Sequence, residues 1–169
     1  MSSSALSPFV ITREFRAPRA LLWQVQTQAQ HLKNWLSPEG FHTIHADMDF
    51  RVGGRYHYGL EGPNGLQMWG LQKFLEIVTE RKIVHLQSFS TPEGGLGRHP
   101  MAPTWPAYMH VTATWEDSAN GGTIHTISWQ PHESDDVGIT TFDGAREGMN
   151  AGFAGTFAKL DAYLVKLQG

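Results

Sequence analysis

The sequence predicts an α+β domain: one strand, two short helices, a meander of antiparallel strands and a long C-terminal helix. Three observations carry that prediction. Apolar residues alternate with polar ones in successive segments between residues 9 and 131, separated by Gly, Pro and Asn turns. Residues 142–167, FDGAREGMNAGFAGTFAKLDAYLVKL, instead place Met149, Phe153, Thr156, Leu160 and Leu164 at helical spacing. The chain has 169 residues, 40% of them hydrophobic, which is enough to bury one substantial core and gives no sign of a fibrous or disordered class. A single domain over 9–169 behind a disordered tail at 1–8 is the expected organisation.

The elements follow in order. FVITREFR at 9–16 alternates as a first strand, and Ala17-Pro18 opens a helix with Pro where a missing N–H costs nothing. Leu21, Leu22 and Val25 supply its apolar side. A second short helix over His31–Leu36 presents Leu32, Trp35 and Leu36 and stops at the SPEG run of 37–40. Residues 41–50 alternate weakly, RVGG at 51–54 turns the chain, and strands at 55–60 and 66–78 flank Gly62-Pro63-Asn64-Gly65. A further strand at 82–90 leads into TPEGGLGRHPMAPTWP, a Gly/Pro-rich loop of 91–106, long for a compact domain. Strands at 108–116 and 122–131 close the meander as a hairpin through DSANG at 117–121. Placing Glu116 opposite Gly122 pairs Val111 with Ile127, Ala113 with His125, and Met109 with Trp129. Alternation then sends Met109, Val111, Ala113, Trp115, Ile127 and Trp129 to the buried face, with His125 as its polar member.

Glycines at 144, 148 and 152 form a narrow ridge on the C-terminal helix. Each interior Gly weakens a helix by about 1 kcal/mol relative to Ala. Either another backbone approaches the ridge or space is kept open beside it. The aromatic hairpin face favours open space at Gly148 and Gly152, whereas close passage of a loop accounts equally well for Gly144.

Composition excludes several classes. There is no Cys, hence no disulfide framework, thiolate metal site or cysteine nucleophile, and a reducing cytoplasm is the expected setting. MSSSALSP has no basic or apolar leader character, and no window approaches the roughly 18 apolar residues of a membrane span. A net charge of −3 without a Lys/Arg stripe speaks against nucleic acid. No G-x-S-x-G elbow or phosphate loop is present, and Asp135-Asp136 suits a helix cap.

Of the nine histidines, His42 and His45 with Asp47 and Asp49 form the tightest cluster. Alternate positions of one strand lie roughly 6–7 Å apart, which suits a solvated face better than one ion, so no metal site is assigned. His125, flanked by Trp115 and Trp129, is either a core histidine bonded to a carbonyl or a group awaiting a ligand. The faces of His57 and His85 stay open, because their strands carry apolar residues on both sides. Trp105 in the long loop reads as a loop or partner anchor.

ITREFRAPRALLWQ at 11–24, HLKNWLSPEGF at 31–41, RVGGRYHY at 51–58 and GMNAGFAGTFAKLDAYL at 148–164 resemble the family related to the activator of Hsp90 ATPase. That family lies within the helix-grip, START/Bet v 1-like superfamily. The resemblance implies a curved antiparallel sheet of about six to seven strands wrapped around the C-terminal helix, enclosing an apolar cavity. The expected function is a soluble binding protein that holds a small apolar or aromatic molecule at Trp115, His125, Trp129, Met149 and Phe153, with Tyr56, Tyr58 and Trp69 alongside. It implies no cofactor. An Hsp90-type chaperone partner is the alternative, and a small cavity enzyme using His125 with a Tyr is a third. A homodimer fits the fold; membrane and nucleic-acid partners do not.

Overall fold

A computed structural model describes residues 7–38 and 40–169; most of the tail expected at 1–8, through residue 6, lies outside the described residues, as does Glu39 of the SPEG stop. Ser7 and Pro8 give their backbone carbonyls to the Arg146 guanidinium.

The chain runs β1 (Phe9–Phe15), α1 (Arg19–Thr27), α2 (Ala29–Leu32), β2 (His42–Met48), β3 (Arg55–Glu61), β4 (Gln67–Val78), β5 (Lys82–Phe89), β6 (Met109–Asp117), β7 (Thr123–Pro131), α3 (Asp136–Gly144) and α4 (Arg146–Gln168). The seven strands form one antiparallel sheet in the order β1-β7-β6-β5-β4-β3-β2. Each meander strand therefore pairs with its sequence neighbour, and β1 returns to close on β7. The α+β helix-grip class read from the sequence is the class observed.

Three local expectations are corrected. The β6–β7 register differs by two residues from that expected: Trp115 faces His125, Ala113 faces Ile127, Val111 faces Trp129 and Met109 faces Pro131. A shift of two preserves parity, so every side chain keeps its face. The second helix is a single turn at 29–32 that continues as turns to Leu36, whose N–H still bonds Leu32 at 2.8 Å. The C-terminal helix is broken into two: Asp135 caps α3 by accepting from the Gly138 N–H at 2.7 Å, and Ala145 leaves helical geometry at φ −95°, ψ 3°. Phe142 pins that junction. It is fully buried beside Phe9, Met109 and Val111, and its ring meets Trp105 at 6.0 Å. Trp105 is thus the anchor of the long loop.

The main core lies between the C-terminal half of α4, α1 and the sheet. Phe157, Leu160 and Leu164 of α4 are buried with Phe15, Leu22, Trp23, Val25, Trp35 and Trp115. Phe15 meets Phe157 edge-on at 5.3 Å, and the Trp35 indole N–H donates to the Val25 carbonyl at 2.9 Å. Polar ties fix the same half of the helix. The Arg13 guanidinium pairs with Asp161, the Lys159 ammonium donates to the Ser37 carbonyl at 2.8 Å, and His31 Nδ1 meets the Tyr163 hydroxyl at 2.7 Å. Truncating the shared ring of this clamp, Phe15→Ala, is expected to cost about 3–5 kcal/mol of unfolding free energy in urea denaturation. A loss below about 1 kcal/mol would show that the clamp is not the main core.

Candidate functional site

The N-terminal half of α4 stands away from the sheet. A cleft of about 480 Å³ opens there between Met149, Gly152, Phe153, Gly155 and Thr156 of the helix and Tyr58, Leu60, Met68, Gly70 and Phe89 of the sheet, with Leu36 and Pro38 at one edge. A Cβ placed on Gly144, Gly148, Gly152 or Gly155 would meet nothing within 4 Å. Gly148, Gly152 and Gly155 of α4 therefore border open space. Gly144 ends α3, and among the described residues no loop passes within 4 Å of a Cβ placed on it.

Two further cavities adjoin the cleft. An inner chamber of about 170 Å³ lies deeper between helices and sheet and shares Leu36, Tyr58, Gln87, Trp129 and Phe153 with it. A third cavity, of about 410 Å³, lies at the α3–α4 end and shares Gln87, Trp129 and Met149 with the cleft. His99 and Trp105 of the long loop wall it, beside Gly144 and Gly148. His99 packs on Phe89 at 4.7 Å, and partial burial lowers its pKa.

The residues singled out from the sequence divide among these spaces. Trp129, Met149, Phe153 and Tyr58 all line the cleft. Trp129 meets Phe153 edge-on at 5.4 Å. Trp115 and His125 line the inner chamber instead. Tyr56 is buried in the main core, stacked on Tyr58 at 5.1 Å, and lines none of the three cavities. Trp69 is a lining residue of the cleft, but its ring belongs to the other face of the sheet. It covers Gly59, whose built Cβ would fall 2.7 Å from the indole, and stacks on His57 at 5.4 Å. His57 is buried there, and its Nε2 meets the Thr91 carbonyl at 2.9 Å.

His125 is satisfied on both sides. Its Nδ1 meets the Thr114 carbonyl at 3.0 Å and so carries the proton, leaving Nε2 to accept from the Gln26 amide at 3.2 Å. The Gln26 carbonyl accepts in turn from the Trp115 indole N–H at 2.7 Å. Burial pushes the His125 pKa down to about 4, against a smaller upward pull from the Thr114 carbonyl. This is a neutral core histidine with no free nitrogen for acid–base work. His85 differs. Burial likewise holds its pKa down to about 4, against a smaller upward pull from the Leu86 backbone, and its Nδ1 is sealed with no partner in hydrogen-bond geometry among the described residues.

Tyr58 sits at the neck between cleft and chamber, where its hydroxyl accepts from the Gln87 amide at 3.3 Å. Burial pushes that hydroxyl up to about 12. Burial also raises the Tyr56 pKa, with a smaller contribution from neighbouring Tyr58. Both phenols are neutral, so Tyr58 gives the cleft wall an uncharged polar point, while Lys159 brings a cation to its rim. Among the described residues, no three His, Asp or Glu side chains gather as a metal site. In place of a cluster, His45 packs on His57 at 4.9 Å and His42 lies 3.9 Å from Glu61.

Sequence reasoning missed Leu60, Met68, Phe89 and Gly155. Leu60 alternates with Tyr58, and Phe89 with Gln87 and His85, so period-2 spacing held the signal for both once one member of each strand was placed.

Fold and cavities together define a helix-grip domain with open space between its sheet and its C-terminal helix. The chain belongs to the family described as activator of Hsp90 ATPase homolog 1-like protein, whose model matches residues 16–165. No curated protein matches it. Among solved structures it resembles a protein of Arthrobacter aurescens at 23% identity and TM-score 0.77, covering 98% of this chain and 90% of that one. A protein of Nitrosomonas europaea is 18% identical at TM-score 0.74, with 99% of each chain covered. The AHSA1 protein of Silicibacter pomeroyi is 17% identical at TM-score 0.70, over 96% of this chain and 100% of that one. At such identities the likeness is one of fold. No helix among the described residues is long and apolar enough to cross a membrane.

The two buried histidines make stability depend on pH. Their folded pKa values of about 4 lie below the unfolded value, so the unfolded chain binds the extra protons as pH falls. Their contribution is complete above about pH 6.5 and is lost progressively towards pH 4. Urea midpoints are expected to fall over that window, and to fall less steeply in His125→Gln. Equal slopes in the two proteins would show that His125 is not held neutral by the fold.

Proposed function

We propose that the chain binds a small hydrophobic or aromatic molecule in the cleft between the sheet and α4. The observation that supports this best is the open space beside the three α4 glycines, Gly148, Gly152 and Gly155, because helix stability has been given up where no packing partner gains from it. Met149, Phe153, Trp129 and Tyr58 form the walls of the space. They provide rigid aromatic surface and one adaptable thioether, the usual lining of a small-molecule site.

Gly152→Leu separates binding from folding. A side chain there enters open space, and replacing Gly inside a helix gains roughly 0.5–1 kcal/mol. The variant is expected to unfold at a slightly higher urea concentration while binding an apolar fluorescent probe such as 1-anilinonaphthalene-8-sulfonate at least tenfold more weakly. Unchanged probe affinity would remove the cleft as the binding site.

The family description supports a second reading, in which the chain acts on an Hsp90-type ATPase. Stimulation of such an ATPase by the purified chain is its test, and no rise in turnover at saturating chain ends it.

A further inference from the structure

The inner chamber differs in chemistry from the cleft that leads to it. Among the described residues its lining contains no Asp, Glu, Lys or Arg, yet it includes His85, Gln26, Gln72 and Gln87, with the Tyr58 ring at the neck. Gln26 is committed to Trp115 and His125. His85 is bonded to no other side chain: the residue is 7% exposed, the Leu86 backbone is set against it, and its Nδ1 is sealed without a hydrogen-bond partner among the described residues. An imidazole carries a donor on one ring nitrogen and an acceptor on the other, and one that lines an empty polar space while bonded to no side chain is a place where a ligand group can gain a hydrogen bond.

The absence of charge decides which group fits. A carboxylate or ammonium entering this chamber would lose its hydration and find no counter-ion. A volume of about 170 Å³ is large enough for a hydroxyl and part of the ring that bears it. A hydroxyl also suits the lining because it both donates and accepts, so it satisfies an imidazole nitrogen in either tautomer and an amide of either orientation. Burial keeps both imidazoles neutral, consistent with a site free of charge.

On the reading that the cleft holds the apolar body of a ligand, we propose that the inner chamber receives an uncharged hydroxyl at the ligand's leading end and that His85 hydrogen-bonds it. The chain thereby selects phenols and alcohols over hydrocarbons and acids of the same size. The shared residues Tyr58, Gln87, Trp129 and Phe153 form the passage between body and head sites.

Fluorescence titration with naphthalene, 1-naphthol and 1-naphthoate tests this on the intact chain, because the three share one ring system and differ only at the head. Wild type is expected to bind 1-naphthol about tenfold tighter than either of the others, the weight of one net hydrogen bond. In His85→Leu the preference for naphthol over naphthalene should vanish while naphthalene affinity stays within about twofold. Because that variant removes a core side chain on which folding can depend, the ¹⁵N resonances of the His85 ring in wild type supply a second readout: 1-naphthol should shift them and naphthalene should not. Equal affinity for naphthol and naphthalene, tighter binding of naphthoate, or an unmoved His85 resonance with naphthol bound overturns the hydroxyl subsite and leaves the cleft standing. Failure of all three probes to bind overturns both.

Discussion

The clamp on the C-terminal half of α4 is the constraint on which the interior depends. Phe157, Leu160 and Leu164 are buried against β1 and α1, at roughly 1.5–3 kcal/mol for each large side chain removed from water. Arg13–Asp161 and Lys159–Ser37 add direction to that packing. An α-helix is stiff, so holding one half sets the height of the other above the sheet. Met149, Gly152 and Phe153 are then carried over β3 and β4 at a distance their own side chains do not fill. The cleft is a consequence of where the helix is held, and the glycines keep it from closing.

That arrangement grades the interior from open to dry. Exposed Ala151, Gly152 and Gly155 form the lip of the cleft, Tyr58 and Gln87 form its neck, and the chamber behind them holds only neutral groups. The two histidines of the chamber show how narrowly a polar core is balanced. His125 has both nitrogens bonded within the chain Thr114–His125–Gln26–Trp115, which makes it structural. His85 lies on the neighbouring side of the same space with one nitrogen unpaired. Fully satisfied networks rigidify and specify a core, which is the part His125 plays here.

The fold was legible in the sequence because alternation and helical spacing report which face a residue occupies. Met109, Val111, Ala113, Trp115 and His125 are buried, as their parity required, whereas Ile127 and Trp129 on the same face are half-buried where they line the open space. Parity says nothing about register, and for that reason the β6–β7 pairing differed by two while the faces were unchanged. The break at Ala145 was hidden because Gly144 is equally at home in a ridge and at a helix end. The site was less legible. His85 and Trp69 sit in strands apolar on both sides, where period 2 carries little contrast. Pairing with Gly59 sends the Trp69 ring outward, and pairing with Phe74 and Val111 turns His85 inward. Both assignments need the neighbouring strand, which no single segment supplies.

Two sheet glycines explain how the neck is shaped. Gly59 and Gly70 lie next to the two aromatic positions of the β3–β4 pair: Trp69 faces Gly59 and Tyr58 faces Gly70. A Cβ on Gly59 would come within 2.7 Å of the indole, and one on Gly70 within 2.3 Å of the phenol ring. Each ring therefore lies down across the strand beside it, on opposite faces of the sheet. Laid flat, Tyr58 brings its hydroxyl to the Gln87 amide. A phenol standing upright on this face would project into the space beneath α4. The passage to the chamber thus depends on a glycine one strand away from the residue that forms its wall, as the cleft above depends on glycines in the helix that roofs it.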